Sequence, residues 1–450
     1  MRPGFTSIFC CLLLAGCASL IGPGEPASDE PVFSEDVLPV IRESFLPLLT
    51  QDTGIDASSW SALLRGSDQG ELLIPYDTDR SLLIERALQA GPDGPSEEEF
   101  DVVRRWIDAG APDDAGRVAF ADADELLYVC NQGSAVISIV DMATNVVIRT
   151  VDLRELGFSE NASPHHIAVA PDGEHWYVSL IGEGVVLKFT RDNELVGRAD
   201  FDVPGMLSIS STGESLYAGR SMSAVNPPQR IGRIDPSDMS VEEIDVFYPR
   251  PHALIAAPGG RHVYSASLGV NQIAGIDPQS LEIELTEVEG PHHGFVQFAV
   301  APNRPLMIVG GEMSGQLLFF SLEEPMSPHV VEVLDVGGAP WHPTFLPDGS
   351  RAIVPRKRAD AVSFVDVPTL SVSGVVSGRG LAQPHGSAVR SDGRYAYVSN
   401  NNLNGAFESR YETEGDPHGS VAVIDTRTLE IVKILEVEHY PTGIGSRPPR

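Results

Sequence analysis

Cysteine is scarce in this chain: of four in 450 residues, Cys10, Cys11 and Cys17 sit at the very start and only Cys130 lies in the body. No disulfide framework can therefore hold the fold together. Basic side chains are also few. The 31 Lys and Arg face 63 Asp and Glu, for a formal net charge of -32. That balance argues against nucleic acid and anionic membrane surfaces as general partners, because phosphate recognition needs clustered cations. The G-x-S-x-G elbow, H-E-x-x-H and the P-loop are all missing, which removes the common signatures of serine hydrolases, zinc proteases and nucleotide enzymes. Residues 18–129 contain no cysteine, and no histidine precedes His165, so C-x-x-C-H for covalent haem is absent.

What is present begins with a leader. MRPGFTSIFCCLLLAGC carries Arg2, then an apolar core from Ile8 to Ala15 that is too short to span a bilayer and reads as a secretion signal over residues 1–16. Leu14-Ala15-Gly16-Cys17 resembles the bacterial lipobox. The resemblance implies that Cys17 becomes the lipidated first residue and, with Ala18 after it, that the protein is sorted to the outer membrane of the cell envelope, facing the periplasm or the surface. Residues 18–31, rich in Gly, Pro, Ser and Glu, read as a flexible tether.

From 32 to 114 the periodicity turns helical. Val37, Leu38, Ile41, Phe45, Leu48 and Leu49 share one face, with Ser34 as the expected N-cap. Ser96-Glu97-Glu98-Glu99 is a capping box opening a helix that buries Phe100, Val103, Trp106 and Ile107 and stops at Gly110 and Pro112. The phrases from Ile55 to Leu88 and from Ser96 to Pro112 resemble the planctomycete-type cytochrome c domain. This copy lacks the haem-binding motif, and Ala90 to Pro95 stand where the second axial ligand is usual. The expectation is a degenerate, haem-free domain serving as spacer or docking piece, with no cofactor.

From about 118 onward one unit recurs. PHHIAVAPDGEHWYVSLIGEGVVLKFTRDNELVGRADF, from Pro164, reads as four short strands in a meander broken by Pro171-Asp172-Gly173 and Arg191-Asp192-Asn193-Glu194. Further copies open at Pro204, Pro251, Phe295, Pro340 and Pro384, at spacings of about 40 to 57 residues, as propeller blades require. PTGIGS at Pro441 reads as a lone first strand, and Glu125 to Leu153 as three strands lacking one. Joined, they give about seven blades and a closed ring with no open sheet end. Tyr128-Val129-Cys130-Asn131, Tyr177-Val178-Ser179 and Tyr397-Val398-Ser399-Asn400 resemble the YVTN family of seven-bladed propellers over residues 118–450. The expected fold is mainly β, a seven-bladed β-propeller with a small N-terminal all-α domain. Folds of this kind host binding modules, lactonases and metalloenzymes, so they do not fix an activity.

The turns between first and second strands, with Asp-Gly or Gly-Gly, are structural. Irregular loops gather on the other face: Ser221 to Arg230, the basic cluster Arg356-Lys357-Arg358, and a long insertion from Asn400 to Gly419 that contains oxygen donors but no EF-hand spacing. Seven of the twelve histidines, His165, His166, His252, His292, His293, His342 and His385, lie at or just before an innermost strand, with Met206 in the comparable slot of another blade. Converging neutral imidazoles suit copper, zinc or iron, and protonated ones suit an anion. They equally cap backbone groups at a crowded crossing. Arg356, Lys357 and Arg358 are candidate anion contacts.

The leading expectation is a lipid-anchored envelope binding or scaffold protein, attached to the membrane through its anchor and using its loop face for an unidentified protein or small molecule. The alternatives are a copper or zinc protein built on a histidine ring (His165, His166, His252, His342, His385), and a lactonase-like hydrolase. No catalytic residue is assigned.

Overall fold

The computed structural model describes residues 30–411 and 415–450. Cys17 and its lipobox, the tether as far as residue 29, and Glu412 and Glu414 of the long insertion lie outside the described residues.

Seven four-stranded antiparallel sheets form a closed β-propeller. Pro441–Arg447 is the innermost strand of the sheet completed by Leu126–Asn131, Val136–Asp141 and Val146–Asp152, so the last strand of the chain closes the first blade. The other innermost strands are Pro164–Val169, Pro204–Ile209, Pro251–Ala256, Phe295–Val300, Thr344–Phe345 and Pro384–Val389. Counting from the sheet closed by Pro441–Arg447, these define blades 1 to 7.

A separate apolar cluster fills each of the seven junctions between neighbouring blades. In the first junction Trp176 is stacked between Tyr128, at 4.7 Å, and Phe189, at 4.2 Å between ring centroids. Full burial of side chains of this size stabilises the fold by about 1.5–3 kcal/mol each, and repetition around the ring makes the scaffold rigid.

Two features recur at the start of the innermost strands. The residue just before the strand has positive φ in six blades, at Ser163, Val203, Arg250, Gly294, Gln383 and Tyr440, and in blade 6 Ala339 holds the same conformation just before Pro340, which bridges to Arg356. The strand then carries a bulge, one residue more than its neighbour between successive pairs, as between Pro164 and Ile167 or Pro384 and Ser387. Bulges twist a strand and re-aim its side chains. Here they turn the one or two residues after the leading Pro toward the ring axis.

The N-terminal region is helical between Phe33 and Asp108. Its opening run, Phe33–Val37 through Leu46–Leu48, alternates wide and tight turns around Pro39 and Pro47, since proline removes an intrahelical donor. Val32, not Ser34, precedes the first turn, and the Ser34 amide instead donates to Asp114 Oδ1 at 2.8 Å. The Ser96–Glu99 capping box is formed, and Glu97–Asp108 buries Val103, Trp106 and Ile107. Phe33 packs on Trp106, 5.5 Å between centroids.

This helical region docks on the outer strands of blades 1 and 7. Arg410, from the long insertion in blade 7, is buried against Asp52 (3.3 Å) and Glu71 (3.5 Å) of the helical region and Glu436 (3.4 Å) of its own blade. Arg80 reaches out in the other direction, to Glu438 at 2.6 Å and Asp152 at 3.0 Å.

Candidate functional site

Inner strands crowd at the axis, and small residues make room. A Cβ on Gly443 would stand 2.3 Å from the His165 carbonyl oxygen, and one on Gly219 would stand 2.5 Å from that of His252. Against this tight backbone the bulges present imidazoles. His165 and His166 come from blade 2, His252 from blade 4, His342 from the approach to blade 6 and His385 from blade 7.

The five rings gather. Centroids lie 4.5 Å apart for His342 and His385, 6.0 Å for His165 and His385, 6.0 Å for His166 and His342, and 6.4 Å for His165 and His252. All but His166 are 5% exposed or less. His166 keeps some accessible surface.

Loss of hydration holds all five neutral. Burial pulls His252 down to about 4 and His166 to about 3, and it takes His165, His342 and His385 well below the ordinary histidine value, with mutual repulsion between the rings adding to it. Their bonding fixes several tautomers. His165 Nδ1 donates to Gln132 Oε1 at 2.9 Å and His252 Nδ1 donates to the Arg220 carbonyl at 2.8 Å, which leaves each ring a bare Nε2. His166 Nδ1 accepts from the Leu207 amide at 3.3 Å, so its proton is on Nε2. His165 Nε2 and His385 Nδ1 are buried without a hydrogen-bond partner, as is the Trp341 indole Nε1. Buried polar atoms left unpaired are costly, each by about 1–3 kcal/mol.

An apolar cluster adjoins the rings. Trp341 lies 5.3 Å from His385 between centroids and clusters with Leu268 and Val296, with Met222 alongside. Lys357 sits over the Trp341 ring, its Nζ 4.3 Å from the centroid, a cation–π contact. Burial drops its ammonium to about 8, and its charge is felt by His165, His342 and His385.

The other candidate residues lie apart from this set. His293 is buried, but both of its ring nitrogens are occupied, by Ser314 Oγ and the Glu289 carbonyl, each at 3.1 Å. His292 is exposed and its Nε2 meets the Leu268 carbonyl at 3.0 Å. Met206 packs into the apolar junction between blades 3 and 4. The basic cluster divides: Arg356 donates to the Val336 carbonyl at 2.8 Å, Arg358 pairs with Glu312 at 3.1 Å, and only Lys357 meets the rings. In the long insertion the amide of Asn402 donates to the carbonyls of Phe407 and His418, while Glu408 and Asp416 are exposed.

Gln132 and Trp341 were not singled out by sequence reasoning. Trp341 does have a signal, since it follows Pro340 as His165 follows Pro164. Gln132 has none, because its contact depends on how two blades meet.

Among the described residues, one group of three or more His, Cys, Asp or Glu has donor atoms all within 4.8 Å of one another. It is His418, Glu438 and His439, not the axial rings.

No family model matches the chain, and no curated protein matches it. Solved structures do. A streptogramin B lyase is 12% identical over 61% of this chain and 86% of its own, with a TM-score of 0.51. Hydrazine synthase of Kuenenia stuttgartiensis is 18% identical over 59% of this chain and 77% of its own, with a TM-score of 0.48. At such identities what is shared is the propeller fold.

Proposed function

We propose that this chain is a binding protein of the cell envelope, anchored through Cys17, whose propeller takes a small hydroxylated carboxylate at the axial mouth. The observation that carries the reading is the bare imidazole nitrogen of His165, where the charge of Lys357 is felt, with a second bare nitrogen on the neighbouring His252 ring. A ligand hydroxyl donates to a bare nitrogen, its carboxylate pairs with the ammonium, and the Trp341 indole N–H offers a further donor. Neutral rings suit this chemistry because they accept a hydroxyl proton without first being deprotonated. The reading assigns no reaction, and the YVTN-type phrases and the helical appendage are compatible with a receptor or scaffold.

A second reading places copper or zinc at the same rings. Two bare imidazole nitrogens favour it, as metals bind that lone pair. The spread of the donors beyond 4.8 Å sets it behind the first.

Calorimetric titration of the full chain with glycolate, lactate, zinc and copper(II) separates the two. The first reading expects carboxylate binding that is lost in Lys357→Met and His165→Ala. Metal binding lost in His165→Ala, with no carboxylate binding, would replace it. The absence of both would remove the axial site as a seat. Release of the protein from membranes by Cys17→Ala tests the anchor.

A further inference from the structure

A cleft of about 750 Å³ lies where the helical region meets blades 7 and 1. Seven carboxylates and two guanidiniums line it, so its field favours a cation. His418 and Glu438 are part of its wall, and the two strands that carry them hold a local irregularity.

His418 opens the strand His418–Asp425, and His439 ends the strand Glu430–His439; the two pair directly. The next pair is Gly419 with Val437, so Glu438 is an extra residue in the ladder. In a regular strand Glu438 and His439 would point to opposite faces. The bulge instead brings both within reach of His418, and the donor atoms of all three lie within 4.8 Å of one another. The two imidazoles meet edge to face, 4.7 Å between centroids. His418 Nδ1 and His439 Nδ1 are buried and make no hydrogen bond. Glu436 Oε1 lies 3.3 Å from His418 Nδ1, and Arg80 holds Glu438 from the opposite side at 2.6 Å.

We infer that His418, His439 and Glu438 form a binding site for a divalent transition metal of the zinc class, with a coordination position open to the cleft. Two imidazoles and one carboxylate are a donor set that zinc takes with a fourth position left for water or a ligand. Arg80 orients the carboxylate as outer partners of metal ligands commonly do. The site lies at the outer edge of the ring, between the propeller and its helical appendage. It stands independently of the axial seat.

The test is titration of the metal-free full chain with zinc by calorimetry, together with cobalt(II), whose visible absorption reports a bound tetrahedral site. One equivalent is expected, with affinity at least tenfold lower in His418→Ala and in His439→Ala, since even outer partners are worth about 10–100-fold. His385→Ala is expected to bind as the parent does. Should an alanine variant fail to fold, His439→Gln, which keeps size and polarity, carries the same expectation. No stoichiometric binding, or binding that survives loss of both His418 and His439, overturns the inference. So does binding lost only in His385→Ala, which would move the metal to the axis.

Discussion

The imidazoles of His342 and His385 meet edge to face across the boundary between blades 6 and 7, 4.5 Å between centroids. The backbone joins them as well: the His342 amide donates to the His385 carbonyl at 3.3 Å, and Ser387 Oγ donates to the His342 carbonyl at 2.7 Å. Two rings so close in a dry site cannot both be charged, and the same holds around the set.

Acid stability should reflect this. In the unfolded chain each imidazole titrates near about 6.5, whereas in the fold His252 is held to about 4 and His166 to about 3. Between these values the unfolded chain binds more protons than the folded one, so stability is full above about 6.5 and falls as pH is lowered. Each ring contributes up to about 1.4 kcal/mol per pH unit. Urea unfolding at pH 7, 6 and 5 should show the decline, and His252→Gln should make it shallower. An unchanged slope would mean that His252 titrates normally in the fold.

Lysine chemistry offers a second reading of the same rim. The chain has only three lysines, Lys188, Lys357 and Lys433. Burial brings Lys357 and Lys433 down to about 8, so at pH 8 about half of each is the nucleophilic amine, against less than about 1% for a lysine at its ordinary value. Acylation at pH 8 followed by mass spectrometry should label both Lys357 and Lys433. Lys433, whose Nζ donates to the Arg65 carbonyl at 2.9 Å, should react alike with or without axial ligand. Lys357 should be protected by it.

The contact between appendage and ring depends on Arg410. Burial opposes its charge, but Tyr411, Glu71, Glu436 and Asp52 together outweigh that and hold it protonated. Glu71 is strained the other way, pushed up by burial despite Arg410. Arg410→Met would leave three nearly inaccessible carboxylates without their cation. A loss of about 3–5 kcal/mol is expected, with earlier proteolysis between the helical region and the first blade. A variant as stable as the parent would show that these carboxylates find protons or water at little cost.

Much of the ring was legible before the structure because propeller blades write themselves as period. The Pro-led first strands, the Asp-Gly turns and the orphan strand at Pro441 each follow from local chemistry and recur. The gathering of His165, His166, His252, His342 and His385 was legible for the same reason, since equivalent slots in a ring must face one axis. What could not be read is what depends on register. His292 and His293 precede a strand led by Phe295, where Val296 and Gln297 take the bulged slots, so those two rings turn to local partners. Met206 holds an equivalent slot yet packs sideways between blades. The pairing of His418 with His439 rests on one extra residue in a ladder, which has no signature in a single strand. The Ser34 cap failed because the run starts with wide turns before Pro39, two positions earlier than periodicity suggests.

Gly443 lies where the closing strand passes blade 2. Its missing side chain is what lets the strand approach: a Cβ there would meet the His165 carbonyl oxygen at 2.3 Å and His166 Cα at 2.8 Å. Neither is a flexible side-chain end, so Gly443→Ala must shift backbone, and overpacking of this kind costs about 1–3 kcal/mol. The neighbouring Thr442 hydroxyl lies 3.2 Å from the same His165 carbonyl, so the displacement reaches the axial rings directly. The expected result is a lower urea midpoint together with weaker carboxylate binding, whereas Thr442→Ser, which keeps the hydroxyl, should change both little. Loss of stability with undiminished binding would show that the axial seat does not depend on how the ring closes.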